Sequence, residues 1–154
     1  MKKSITLLLA VLVAGISTPV RAGEQMELDP FHSVIVSSEI VAELILSKKE
    51  AIESEFKNAD EENLIVEVVD SVLKLRMKTG KYKDSDLKVR IYYNKDLQML
   101  EANGRAQIWS DEDIYFDRNL SVKLYNGGEM RFRLFCDSLN ANLSQGSIIY
   151  LKGK

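Results

Sequence analysis

Alternation of apolar and polar residues runs through most of the chain after residue 30, and it limits the fold more than any other feature. Residues 73–77, 87–93, 120–124 and 130–134 all show it. In an extended strand, alternation buries one set of side chains and leaves the other set in water. The pattern therefore predicts an all-β fold.

One stretch, residues 39–58, offers an opening for a helix, because Lys48–Ala51 are good helix formers. The apolar residues between Ile40 and Leu46, just before Lys48, still alternate. We therefore predict a strand up to Leu46 and a weaker strand from Ala51 to Phe56. A short helical turn is predicted at residues 58–63, which are polar and turn-prone.

Three leucines are each followed, seven residues later, by a glycine turn and another alternating segment. The pairs are Leu97 with Gly104, Leu120 with Gly127, and Leu139 with Gly146. Repeats of about 20 residues fit stacked turns of a β-helix or β-solenoid, in which each turn covers the apolar face of its neighbour. They fit an antiparallel meander or sandwich equally well, since Asn-Gly also marks hairpins. Spacings of 23 and 19 residues leave both alternatives open.

The first 22 residues have the composition of a secretory signal peptide. Lys2 and Lys3 precede an apolar stretch at residues 5–16, and small residues flank a cleavage position after Ala22. The apolar stretch is too short for a membrane-spanning helix, which needs about 20 residues. We therefore expect an exported chain located in the periplasm, on the cell surface or outside the cell, with residues 23–154 forming one domain and no stable membrane span.

Charge and composition exclude several classes of function. Without the signal, 18 basic and 23 acidic side chains remain, a net charge of −5 that argues against nucleic acid as a partner. The single His32 and the single Cys136 are too few for most metal cages or nucleophile–base pairs. Cys136 shares the apolar parity of its segment, which favours burial. We expect no enzyme, no cofactor and no metal site.

The candidate surface-binding residues are Trp109, Tyr115, Asp111 and Asp113. Trp109 has the parity opposite to Ile108, so its ring either reaches the surface near Tyr115 as a contact platform or covers a strand face. The acidic residues belong to a group that also includes Glu112 and Asp117, predicted to lie in a long connection between two repeats. Such a group can hold Ca²⁺, but a solvated acidic loop is the ordinary interpretation.

Apolar and glycine positions give the chain a resemblance to a known family. Phe31-x-x-Val34-x-Val36 and residues 63–68 and 72–75 resemble its N-terminal half, and residues 97–108 and 139–153 resemble its repeating unit. The family is that of the auto-transporter adhesin head GIN domain. The resemblance implies an exported bacterial protein with a right-handed β-helix or related solenoid, and it says nothing about chemistry.

Together these features predict a non-catalytic, adhesin-like protein that binds an unknown cell-surface or glycan ligand. The alternative is a small glycan-binding or glycan-cleaving β-helix protein. The chain stops soon after its third glycine turn, so a solenoid end without a cap is a candidate contact between two copies of the chain.

Overall fold

The structure is a computed structural model that describes residues 23–57, 61–78 and 86–153. The predicted signal peptide lies outside the described residues. The described part is all-β, as the alternation predicts, with one 3₁₀ turn at Glu61–Asn63. Its strands are β1 Gln25–Glu27, β2 Ser33–Ser37, β3 Ile40–Leu46, β4 Ala51–Lys57, β5 Leu64–Val69, β6 Val72–Met77, β7 Asp86–Tyr93, β8 Met99–Asn103, β9 Gln107–Tyr125, β10 Glu129–Leu143 and β11 Ile148–Lys152.

All eleven strands belong to one sheet, which has two arms. We call arm A the series β5, β6, β2, β8 and the C-terminal parts of β9 and β10. Arm B is the series β1, β4, β7, β3, the N-terminal parts of β9 and β10, and β11. A tight corner leads from arm A to arm B four times along the chain, after β2, β8, β9 and β10. One cluster of buried apolar side chains receives residues from both arms.

Most strand pairs are parallel, and the antiparallel pairs lie toward the N-terminal part of the chain. The pairs β1–β4, β4–β7 and β5–β6 are antiparallel, whereas every described pair among β2, β3, β8, β9, β10 and β11 is parallel. A meander would pair consecutive strands antiparallel. The meander alternative therefore fails over residues 99–152 and holds only for the hairpin of β5 and β6.

Parallel register stacks identical positions into columns inside arm A. One column is Leu75–Val36–Ala102–Leu124–Leu143, built from five adjacent strands. Its first four members are buried, while Leu143, on the last strand, is exposed. The apolar interior is thus covered on every strand of the column except the last. We call residues 139–143 and 148–152 the open end.

The observed register corrects the repeat derived from the glycine turns. The spacing between paired residues is 22 from β8 to β9, because Met99 pairs with Ser121. The predicted 23-residue alignment of Leu97 with Leu120 is therefore wrong by one residue. The next alignment, Leu120 with Leu139 at a spacing of 19, is confirmed. Gly127 and Gly146 consequently occupy equivalent corner positions, whereas Gly104 is equivalent to Asn126.

Leu124 and Leu143 provide a matched test of how well the open end is covered. Replacing Leu124, which is 0% exposed, with Ala should lower the free energy of unfolding by about 2–5 kcal/mol. The same change at Leu143, which is 40% exposed, should cost well under half of that, because less apolar surface is buried there. Denaturant unfolding of both variants measures the two losses. Equal losses would mean that Leu143 is covered in solution.

Candidate functional site

One row of outward-facing side chains crosses arm B from edge to edge. Each member is paired in register with the next, in the order Gln25, Glu53, Arg90, Glu43, Trp109, Arg131 and Tyr150. Side chains at paired positions lie on the same face of a sheet and within contact distance of each other. The row therefore has two segments on one surface. The first is charged and contains Glu53, Arg90 and Glu43, and the second is aromatic and basic and contains Trp109, Arg131 and Tyr150.

In the first segment, charges compensate each other. The Arg90 guanidinium lies 3.0 Å from a Glu53 carboxylate oxygen and 3.4 Å from one of Glu43. The Tyr92 hydroxyl donates a 3.0 Å hydrogen bond to Glu53. The carboxylates, that of Glu53 foremost, raise the pKa of Arg90. With two carboxylates and one guanidinium, this segment keeps one net negative charge, and its arginine is already paired.

The second segment forms the wall of a shallow groove of about 920 Å³. Trp109, Arg131 and Tyr150 contribute from three adjacent strands, and the lining also includes Lys88, Arg133, Lys152 and Asp111. Tyr150 is 53% exposed, and Trp109 is half-buried. We call this feature the aromatic groove. It combines two accessible rings with several cations, an arrangement suited to binding.

A bulge in β9 shapes one side of the aromatic groove. Arg131 pairs with Trp109 and Arg133 with Asp113, so Ser110, Asp111 and Glu112 together oppose a single residue of β10. The Ser110 hydroxyl donates to the Leu44 carbonyl at 3.0 Å and accepts the Glu112 amide at 3.2 Å. Such hydrogen bonds stabilise the extra residues of a bulge, which re-aims nearby side chains.

The acidic residues Asp111, Glu112 and Asp113 do not lie where the sequence pattern predicts. They lie within the long strand β9, not in a connection between two repeats. Asp113 lies 2.7 Å from the Arg133 guanidinium and is half-buried. Among the described residues, no three His, Cys, Asp or Glu side chains converge in a way that could hold a metal ion. The Asp117 side chain is outside the description.

The structure separates the four candidate binding residues. Trp109 and Asp111 line the aromatic groove, and Asp113 contacts it through Arg133. Tyr115 stacks on Phe135 instead, with ring centroids 4.8 Å apart, and no described ring contact joins it to Trp109. The expectation that Tyr115 lies near Trp109 is therefore unsupported. Arg131 and Tyr150 were missed, although a step of 22 residues from Trp109 to Arg131 and one of 19 residues from Arg131 to Tyr150 would have found them.

His32 and Cys136, the single histidine and the single cysteine of the chain, each have a local structural role. The His32 ring nitrogen Nδ1 lies 2.9 Å from the Ser33 hydroxyl at the start of β2. Cys136 is half-buried and packs against the core, and burial raises the pKa of its thiol. The burial that the alternation predicts for Cys136 is therefore only partial. Because the raised pKa keeps the thiol protonated, Cys136 is a poor nucleophile.

The fold and the groove define a class: an all-β domain with a ligand-sized groove on an exposed sheet face. The family model "Putative auto-transporter adhesin, head GIN domain" matches residues 30–154. The chain belongs to this family.

Two crystal structures share the fold. A putative adhesin from Parabacteroides merdae has a TM-score of 0.67 at 15% identity, and the match covers 83% of this chain and 54% of that chain. A putative adhesin from Parabacteroides distasonis has a TM-score of 0.64 at 14% identity, covering 84% and 64%. The chain thus spans between about half and two thirds of the length of these structures.

The search of curated proteins found no match. Within the described ranges, no helix has the length and apolarity needed to cross a bilayer.

Tyr93, at the end of β7, gives a prediction about stability at alkaline pH. Burial, with a smaller contribution from the Glu112 carboxylate, raises the pKa of Tyr93 to about 12. The unfolded chain releases this proton near pH 10. Because the folded state then binds more protons than the unfolded state, stability should fall as pH rises from about 10 to 12.

Tyr93→Phe should remove this part of the pH dependence, which denaturant unfolding at pH 9 and pH 11 would measure. Tyr115→Phe, which removes an exposed phenol, is the control. An unchanged difference in unfolding free energy between the two pH values in Tyr93→Phe would contradict the prediction.

Proposed function

We propose that this protein is exported and binds a surface ligand of the cell envelope or its surroundings through the aromatic groove, without catalysis. The observation that carries the proposal is the set Trp109–Arg131–Tyr150, in which an exposed cation lies between two rings on neighbouring strands. At protein–protein interfaces, Trp, Tyr and Arg are enriched among the few residues that carry most of the binding energy. Family membership and the likeness to two putative adhesins support the same conclusion.

The lining of the groove favours binding over glycan cleavage. Glycoside hydrolysis ordinarily uses two carboxyl groups on opposite sides of the scissile bond. Of the described carboxylates, Asp111 lines the aromatic groove, while the neighbouring Asp113 is held by Arg133. This arrangement lacks a second unpaired carboxylate.

The architecture that we propose is a β-solenoid, in which each passage through arm A, a corner and arm B is one turn. Parallel pairing between successive passages supports it, as do the equivalent corners. Left-handed residues occur at each of the last three corners: Gly104 with Arg105, Asn126 with Gly127, and Gln145 with Gly146.

A screen of residues 23–154 on a purified glycan array, with chromatographic detection of shortened products, tests binding against cleavage. We expect retention without product release. Tyr150→Ala should weaken retention, whereas Tyr115→Ala should not, although both tyrosines are similarly exposed at 53% and 59%. Product release that Asp111→Asn abolishes would contradict the proposal.

We also propose that two copies of the chain meet at the open end. Leu143, Ile148 and Leu151 are exposed there, and β11 pairs with β10 alone in the described sheet. At the other end of arm A, the inward side chains of β5, Leu64 and Val66, are buried. Since Leu143 and Leu151 are exposed while the inward side chains of β5 are buried, the contact would be between like ends and closed as a dimer.

Sedimentation velocity over a range of concentrations tests the dimer. We expect a concentration-dependent dimer that Leu151→Glu dissociates, because a charge would be buried at the contact. The control, Lys152→Glu, changes an outward side chain on the same strand. A monomer at all concentrations would refute self-association.

A further inference from the structure

The lining of the aromatic groove has an excess of positive charge, although the domain as a whole is acidic. Its lining holds four cations, Lys88, Arg131, Arg133 and Lys152, against one carboxylate, Asp111. Residues 23–154 as a whole have an excess of acidic side chains. A local reversal of sign concentrates anions at that place and repels them elsewhere.

Three of the four cations of the groove are also available to a ligand. In the described part of the chain, the ion pairs involve Arg133 but not Lys88, Arg131 or Lys152. The contrast with Arg90 is direct, since both arginines lie in the same row. Arg90 lies between two glutamates, whereas Arg131 has Trp109 and Tyr150 as its paired neighbours. The charge of Arg131 is left for a ligand.

The spacing of the row suits a polymer with alternating apolar and anionic features. Trp109, Arg131 and Tyr150 lie on successive strands, so the two rings are separated by about 10 Å with the guanidinium between them. Aromatic rings offer flat apolar surface, and a guanidinium binds a carboxylate through paired hydrogen bonds. Beside the groove, Arg133 forms an ion pair with the Asp113 carboxylate, with a nitrogen–oxygen distance of 2.7 Å.

We propose that the ligand of the aromatic groove is an acidic polysaccharide bearing carboxylates, a polyuronate. Sugar rings would lie against Trp109 and Tyr150, and a uronate carboxylate would bind Arg131. Lys88 and Lys152 would attract further carboxylates along the chain. This inference rests on the proposed function and names its ligand class. Single-stranded nucleic acid also favours basic, aromatic surfaces, so the test includes a thymidine oligonucleotide as a competing ligand.

The test uses residues 23–154 and two matched probes, oligogalacturonate and its fully methyl-esterified form, measured by calorimetry at low salt. We expect binding of the acid and not of the ester. Arg131→Gln should weaken binding about tenfold or more, because it removes a charge-assisted hydrogen bond. Arg131→Lys should recover part of it, since the charge returns without the planar fork. Added salt should weaken binding.

Arg76→Gln is the matched control, because it removes the same charge from an exposed arginine of arm A. Melting temperatures of both variants report whether they fold. The proposal is overturned if the ester binds as tightly as the acid, if Arg131→Gln binds like Arg76→Gln, or if a thymidine oligonucleotide or dextran sulfate binds more tightly than the uronate.

Failure of this inference is distinguishable from failure of the proposed function. Retention on neutral glycans that is lost in Tyr150→Ala, with no uronate binding, would refute the ligand class and keep the groove as the binding surface. Uronate binding that neither Arg131→Gln nor Tyr150→Ala weakens would refute the groove for both.

Discussion

In-register parallel pairing of successive strands is the constraint on which the other features depend. It stacks Leu75, Val36, Ala102 and Leu124 into one buried column, so each strand covers the apolar surface of its neighbour. A slip of one residue would turn every inward side chain of a strand outward. The same register aligns Trp109, Arg131 and Tyr150 on the outer face of arm B. Core and groove are thus two consequences of one alignment.

The corners hold this register in place. Asn126 and Gly127 both have positive φ, and so do Gln145 and Gly146. Left-handed backbone costs a residue other than glycine about 1–2 kcal/mol, which the surrounding pairing must offset. Part of the offset is visible at the corner after β9, where the Asn126 side chain donates a 2.7 Å hydrogen bond to Asn103, at the end of β8. At Gly128 no side chain fits, because a Cβ would lie 2.4 Å from the Ala102 carbonyl oxygen.

Sequence alone could predict strands and their faces, but not which strands become neighbours. Alternation is a local property, so it correctly indicated all-β structure, a strand beginning at Ala51 and an outward Trp109. Which residues pair beyond Trp109 depends on the bulge at Ser110–Glu112, where three residues of β9 lie opposite one residue of β10. That bulge and a second shift near Cys136 change the spacing from 22 to 19 residues. Applied to Trp109, the 23-residue spacing of the first two glycine turns would point to Phe132, an inward residue, and not to its observed partner Arg131.

The difference between the two ends of the sheet bears on how proteins of this fold can change in size. An additional repeat placed after β11 would find an exposed apolar edge in the correct register and would cover Leu143 and Leu151. It would also set one more outward side chain beside Tyr150, extending the row of Trp109 and Arg131 by one strand. In such a series of proteins, the length of the row would increase with the number of repeats, so gene duplication alone would lengthen the groove that we propose as the binding surface.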